Sequence, residues 1–327
     1  MRAPSVSVIL PILDERDTID DVLTSLLDQR YDGPLEIVVA DGGSTDGTRE
    51  RLVDWARRAG GRLRVIDNPD RRQSPGLNRA AAVATGEILV RADGHTVYAP
   101  DYVARSVAAL DDGADAAGGR MNPVGRTRFG RGVAAAMNSP LTMGPARFHH
   151  ATRRESVDTV YLGAFRRDDF FAVGGFRGFP SGAAEDADFY HRWRASGRTV
   201  VVDPAIVSRY TPRDDPRSLW RQYLAYGRGK AEMLWANGRF PSWRPLAPLG
   251  LVAALGVGAV LALLGWPWLL LVVVAAWWAV LGWVAVTGNG PPFETFLAAA
   301  IMHLAYGLGV VVGLLAGPGP VRRSTAV

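Results

Sequence analysis

The 327-residue sequence contains no cysteine. That excludes a disulfide framework and a thiolate metal site, and nothing in the composition calls for an oxidising compartment. Two phosphate-binding signatures are also missing. Neither G-x-x-x-x-G-K-[ST] nor G-x-G-x-x-G occurs, which argues against a P-loop enzyme and against a dinucleotide oxidoreductase. Lysine is scarce as well, so the basic excess behind the formal charge of +5 is almost entirely arginine. These arginines are scattered among acids and form no single patch, so no nucleic-acid partner is expected. Anionic headgroups or phosphorylated substrates suit them better.

Charge then disappears altogether over a long stretch. No Asp, Glu, Lys or Arg occurs from Pro245 to Phe293, and after Glu294 none until Arg322. Roughly 20 apolar residues cross a bilayer, and the stretch reads as about three transmembrane helices near 246–264, 268–287 and 296–316. Gly265-Trp266-Pro267-Trp268 makes the first break, with two tryptophans suited to a membrane interface. Gly288-Asn289-Gly290-Pro291-Pro292 makes the second. Three spans carry the C-terminus to the far side, whereas Arg322-Arg323 favours the cytoplasm. A re-entrant or interfacial span therefore stays open as an alternative. His303 falls within the last span, either functional or bonded between helices.

What precedes the apolar region is a soluble domain. Residues 5–10 read as a strand, preceded by too short a stretch for a signal peptide and followed by acids at Asp14 and Glu15. This domain is expected in the cytoplasm, anchored to an inner or plasma membrane as part of a multi-pass protein. Ile19, Val22, Leu23, Leu26 and Leu27 fall on one helical face. Leu35–Ala40, Leu63–Ile66 and Glu87–Val90 are short apolar strands. Between them, Asp46 is expected to cap a helix whose buried face is Leu52, Val53, Ala56 and Ala59, and Gly76–Thr85 is an Ala-rich helix. Pro100-Asp101 starts another. Strands alternating with helices predict an α/β fold, a doubly wound, Rossmann-like and mostly parallel sheet. The domains are residues 1–240 (catalytic), 245–317 (membrane) and 318–327 (tail). Residues 216–240 mix aromatics with arginines, which fits either an interfacial helix on anionic lipid or packing against the sheet.

Ligands bind such sheets at the carboxyl ends of the strands, and acids gather there. The first strand ends in Pro11-Ile12-Leu13-Asp14-Glu15. The second ends in Asp41 and a glycine-rich turn at 42–47, where backbone can approach a ligand closely. The fourth ends in Arg91-Ala92-Asp93-Gly94-His95. One such acid is ordinary turn chemistry; three strand ends carrying acids point to a shared pocket for a nucleotide, a divalent cation (Mg2+ or Mn2+), or both.

The stretches "VSVILPILDERDTI", "EIVVADGGSTDGT", "GEILVRADGHTVYAPDYV" and "GAAEDADFYHRWRASG" resemble the family 2 glycosyltransferases, which have the glycosyltransferase-A fold. The resemblance covers about residues 4–230. The RADGH form followed by a hydrophobic segment is similar to the succinoglycan-type exopolysaccharide glucosyltransferases. The resemblance implies that Pro11, Asp14 and Glu15 contact the nucleotide and that Asp41 meets its base or ribose. Gln73 and Asn78 lie in the segment lining the nucleotide pocket. Asp93 matches the last acid of the Asp-x-Asp motif, which holds the cation bridging the diphosphate. Asp186, beside Glu185, matches the catalytic base. Two departures stand out. Arg91 replaces the first acid of Asp-x-Asp and either reaches a phosphate oxygen or pairs with a neighbouring acid. Gly42 replaces a second acid after Asp41. His95 supplies a compensating metal ligand or phosphate contact, or only supports the site.

The implied reaction is inverting transfer of a sugar from a nucleotide-sugar donor, a UDP-hexose by expectation, to a polyprenyl-linked saccharide. Asp186 would take the acceptor proton, and Glu185 beside it would raise an acid's pKa. The alternatives are a polyprenyl-phosphate sugar synthase and a non-catalytic scaffold that binds nucleotide sugar. A processive synthase is disfavoured, because three spans offer little channel. Arg166 and the pair His149-His150 are read as surface and packing residues respectively; adjacent residues on a helix face different directions.

Overall fold

The computed structural model describes residues 2–144, 146–240 and 243–321. The Arg322-Arg323 pair and most of the tail lie outside the described residues. The chain opens with β1 (Val6–Ile12), α1 (Ile19–Leu27), β2 (Leu35–Asp41), α2 (Thr48–Arg58), β3 (Leu63–Asp67), α3 (Gln73–Val83) and β4 (Ile88–Arg91). There follow β5 (Thr96–Tyr98), α4 (Tyr102–Asp111), β6 (Ala116–Pro123), α5 (Arg128–Met137), α6 (Pro140–Met143) and α7 (Arg147–His150). Next come β7 (Glu155–Ser156), β8 (Tyr161–Arg166), α8 (Arg167–Val173), α9 (Glu185–Ala195) and β9 (Val200–Tyr210). The last four helices are α10 (Pro216–Asn237), α11 (Leu246–Leu263), α12 (Trp268–Thr287) and α13 (Pro292–Ala316).

The strands form one sheet in the order β3-β2-β1-β4-β8-β6-β9-β5, with β7 beside β9. The first four strands are parallel, as expected from their alternation with helices. In the other half β6 and β9 pair in parallel, while β8 runs antiparallel to β4 and β6, and β5 and β7 run antiparallel to β9. The sheet is therefore mixed but mostly parallel, as expected, with β1–β4, β6 and β9 sharing one direction. The β1–β4 strands bury both faces by simple alternation. Val8, Leu10, Ile37, Val39, Ile88 and Val90 enter one core, while Ile9, Val38, Ala40 and Leu89 enter the other. A period of two places successive side chains on opposite faces.

Local corrections have local causes. Gly47, at φ 98°, is the residue flanking α2, because the chain must turn through a left-handed conformation there. Asp46 still accepts the Thr48 amide at 3.0 Å. Val53 on that helix is 41% exposed and does not belong to its buried face. The α3 helix starts at Gln73, ahead of the alanine run, since Pro75 is tolerated in a first turn.

Three helices are long and apolar enough to cross a membrane. α13 begins four residues before the expected span, and its Glu294 pairs with Arg128 of α5 at 2.7 Å. α10 packs mainly against α13, and Leu219 and Tyr223 near its start also meet Met121 and Tyr210 of the sheet. A Cβ at Gly227 would strike the Tyr306 carbonyl, and one at Gly309 the Leu224 carbonyl. Small residues let two helix backbones approach closely. A third core forms here, joining Met121, Val133, Tyr210, Leu219 and Tyr223 to Leu281, Val284, Ala298 and Met302.

Candidate active site

Strand register sets the floor of the site. Ile12 is opposite Asp41, and Asp41 opposite Asp67, so the first two acidic loops leave the same edge. Asp14 sits in the left-handed region at φ 54°, a conformation Asp tolerates. There it joins the two loops: its amide donates to Ser44 Oγ at 2.9 Å, and its Oδ1 accepts the Thr45 amide at 2.8 Å.

Two cavities open at this edge. The smaller, about 190 Å³, is lined by Pro11, Glu15, Arg71, Gln73, Asp93 and His95. The larger, about 1220 Å³, starts at Gln73, Arg91, Asp93 and His95. It passes Glu185 and Asp186 and ends among Trp277, Met302 and Tyr306 of the apolar helices. Gln73, Asp93 and His95 belong to both. Four distant sequence segments thus meet in one place.

Asp93 stands at the junction. Its Oδ1 accepts Gln73 Nε2 at 3.0 Å, and Arg91 Nε is 3.8 Å away. Its amide donates to the Tyr98 hydroxyl at 2.8 Å. Arg91 is only 5% exposed and reaches the other way to Glu185, Nη2 to Oε1 at 3.1 Å. Burial disfavours its charge, but Asp93 and Glu185 more than offset this and hold it protonated. Its Nη1 makes no hydrogen bond among the described residues. A buried donor without a partner, on a side chain that lines the larger cavity, suits an anion.

His95 meets Glu15 through Nδ1 at 3.1 Å and lies edge-on to Tyr210. Burial opposes the imidazolium, yet the Glu15 hydrogen bond and charge raise the His95 pKa overall. Burial would raise Glu15, but His95 and Thr18 pull it below the usual carboxylate value.

Glu185 and Asp186 begin α9, where the helix dipole favours carboxylates. Ala184 before them is strained into the left-handed region at φ 68°. The turn is held from outside. Ser181 donates its amide and hydroxyl to Glu232 of α10, at 3.0 and 2.6 Å. Gly229 allows α10 to close on it, since a Cβ there would lie 2.9 Å from the Ala183 carbonyl oxygen. Burial first, then the charge of Asp186, push Glu185 up to about 7, against the pull of Arg91.

Two expected pocket residues are engaged elsewhere. Asn78 clamps the Gly-Gly-Phe turn: its Nδ2 donates to the Phe176 carbonyl at 2.7 Å and its Oδ1 accepts the Phe176 amide at 2.9 Å. Asp41 is 1% exposed and accepts Ser44 Oγ at 2.7 Å and Arg49 Nη1 at 2.8 Å. Neither of them, nor Asp14, is among the residues lining these two cavities. Conversely, Lys230 and Arg244 line the larger one. In sequence they are only basic residues near an apolar stretch. Burial depresses the pKa of His149 to about 3 and lowers that of His150, with further help from nearby cations. That is consistent with packing roles. His303 accepts the Trp277 indole N–H through Nδ1 at 3.2 Å, an interhelical bond.

Among the described residues, no three His, Asp or Glu side chains form a ready-made metal cage. A hard cation that bridges a diphosphate needs only one or two carboxylates, with phosphates and water completing its shell. Asp93 has the right chemistry and opens on both cavities.

Residues 7–174 match the family model "Glycosyl transferase family 2". The chain is 34% identical over 319 residues to the succinoglycan biosynthesis protein ExoA of Rhizobium meliloti, covering 94% of each. Among solved structures, it resembles the mannosyltransferase PcManGT from Pyrobaculum calidifontis in complex with GDP-Man and Mn2+. The TM-score is 0.58 at 24% identity, over 96% of this chain and 88% of that one. It also resembles GalNAc-T7 with UDP, GalNAc and Mn2+, with TM-score 0.54 at 14% identity over 72% and 49% of the two chains. The chain belongs to glycosyl transferase family 2. It is a glycosyltransferase of the glycosyltransferase-A fold, carrying three C-terminal helices able to span a membrane.

Proposed function

We propose that this enzyme transfers a hexose from a nucleotide sugar to a lipid-linked saccharide, with inversion, in exopolysaccharide or envelope glycan synthesis. The observation that carries this reading is the single cavity running from Asp93 and Asp186 to the apolar helices. A donor bound at the sheet edge and an acceptor on a lipid carrier can meet there. The relative named for succinoglycan biosynthesis supports the exopolysaccharide setting.

In this mechanism the smaller cavity takes the nucleotide, and Arg91 Nη1 faces a diphosphate oxygen. Asp93, with His95 at its side, would hold a divalent cation, which would supply charge compensation for the leaving diphosphate. Asp186 accepts the proton of the attacking hydroxyl, which is a weak nucleophile at neutral pH. Glu185 holds Arg91 in place and is the less suited base, because its Oε1 is already engaged. A polyprenyl phosphate that accepts the sugar directly is the second reading, favoured by the cations Lys230 and Arg244 on the cavity wall.

The test is turnover of UDP-, GDP- and dTDP-sugars by full-length protein in detergent, with a polyprenyl-lipid extract, with and without chelator. Chelator-sensitive transfer to a lipid-linked saccharide is expected. A product with sugar bonded directly to lipid phosphate would select the second reading. Silence across the panel would remove the proposal of transfer to a lipid-linked acceptor.

A further inference from the structure

Lys230 is the only lysine among the chain's 37 basic residues. It occupies α10 one turn beyond Tyr226, and both line the large cavity. Residues four apart share a helix face. Gly227 and Ala231, one position on, instead face α13. α10 therefore seals the membrane helices with one side and presents an ammonium to the cavity with another.

The surroundings of Lys230 are mixed in charge but not neutral. Asp186, Asp158 and Glu185 are its acidic neighbours, and Arg244 its nearest cation. Asp158 is already paired with Arg244 at 2.9 Å, and Glu185 with Arg91. Arg194, Arg213 and Arg221 line the same cavity. Among the described residues, no acid forms an ion pair with Lys230 itself. Burial lowers its pKa, and Asp186 only partly opposes this. This half-buried ammonium lines the cavity without an ion-pair partner, so it is available to an anionic ligand there. Beyond it the lining turns apolar, with Leu251, Val273, Ala276 and Met302. Cations on one stretch and hydrocarbon on the next match an amphiphile with an anionic head.

We propose that Lys230 anchors the phosphate group of a polyprenyl-type acceptor, with the prenyl tail lying between α11, α12 and α13. This rests on the lipid-linked acceptor reading above and makes Lys230 a positioning residue. It would fix the head group so that the attacking oxygen reaches Asp186. A compact, rotatable ammonium suits a phosphate that must slide in along the membrane better than a rigid guanidinium fork does.

A lone lysine allows a direct test. Full-length protein in detergent is pulse-acetylated, and the peptide containing residue 230 is quantified by mass spectrometry. The probes are farnesyl diphosphate, farnesyl phosphate, farnesol and inorganic diphosphate. Both farnesyl phosphates should slow acetylation by about tenfold near saturation, a protection worth about 1.4 kcal/mol. Farnesol and inorganic diphosphate at the same concentration should leave it within about twofold. In parallel, quenching of Trp243 and Trp277 fluorescence, two indoles that line the cavity, reports binding. Lys230→Gln should weaken farnesyl diphosphate about tenfold and farnesol hardly at all, and Lys230→Arg should recover most of the loss. Protection by farnesol equal to that by farnesyl diphosphate would mean the tail alone covers Lys230. Equal protection by inorganic diphosphate would assign the site to a free diphosphate. Either result overturns the anchor while leaving a lipid acceptor standing. If no farnesyl compound protects Lys230 or quenches the tryptophans, the lipid-linked reading itself fails.

Discussion

Arg91 Nη2 lies 3.1 Å from Glu185 Oε1, tying the end of β4 to the first residue of α9 across 94 positions of sequence. Asp93 and Glu185 flank this buried guanidinium as its acidic neighbours. Removing one member of a buried pair typically costs about 3–5 kcal/mol, because the other is left uncompensated. Arg91→Ala should therefore lower the melting temperature by several degrees and reduce turnover by at least about a hundredfold. Arg91→Met with Glu185→Gln should restore much of the stability but not the turnover. Thermal unfolding and steady-state rates on the parent and the two variants check this. Recovery of turnover in the double variant would show that Arg91 serves folding alone.

Asp186→Asn should separate chemistry from binding. It keeps the shape of the α9 terminus and the hydrogen bond from the Ala187 amide, 2.7 Å in the parent. Loss of a general base typically costs about 10²–10⁴ in rate. The expected result is a fall in kcat of that size with donor KM within about threefold. A rate near that of the parent would exclude Asp186 as the base.

Glu185 predicts a pH effect on stability. Its carboxyl is raised from 4.5 to about 7 by burial and by Asp186. The neutral form is thus favoured in the folded state. The stability it confers is complete below pH 4.5 and is lost as pH rises through about 7. At pH 8 the penalty is on the order of 1–3 kcal/mol. Thermal melts at pH 5 and pH 8 should show a larger drop for the parent than for Glu185→Gln, by roughly 2–8 °C. Parallel profiles for the two proteins would rule out this contribution.

Asp93→Asn tests the cation. The variant keeps the Gln73 neighbour but loses the ligating charge. Donor affinity in the presence of Mg2+ or Mn2+ should fall at least about tenfold. Its remaining affinity should ignore chelator, whereas the parent's should not. Calorimetry with the nucleoside diphosphate, with and without metal, measures both. A chelator-insensitive parent would mean that Arg91 and its neighbours replace the cation.

Much of this site was legible in sequence, for a physical reason. The four parallel strands announce themselves through short apolar runs, and each ends in polar loops whose acids share an edge once the strands pair in register. The same reasoning could not reach the other half of the sheet. β6 contains Gly118-Gly119, where its register with β9 shifts, and β9 carries Pro204 mid-strand. Neither looks like a strand to a periodicity argument. Asn78 illustrates a second limit. Its segment borders the pocket, but its side chain turns to Phe176, 98 positions away. Glu185, the partner of Arg91, is equally non-local. A guanidinium at a strand end reads the same whether it meets phosphate or glutamate.

The glycines of α10 and α13 lead to the last prediction. Sequence alone offered α10 as a surface helix on lipid or a helix on the sheet, because its aromatics and arginines fit either. The deciding residues are the ones with no side chain. Gly227 and Gly309 sit where a Cβ would meet the backbone of the opposite helix, so the two helices are in van der Waals contact along their length. That contact carries α10, and with it Glu232, which grips Ser181 at the turn before Glu185 and Asp186. Gly227→Ala must push α13 away or tilt α10. Overpacking of this kind typically costs about 1–3 kcal/mol. The expected outcome is a lower melting temperature together with a fall in kcat, although residue 227 touches no reacting group. Gly256→Ala on α11, where a Cβ would meet nothing within 4 Å, is the control and should change neither. If Gly227→Ala loses stability at unchanged kcat, the helix pair is a membrane anchor only. A joint loss would mean that the membrane helices hold the catalytic turn in shape.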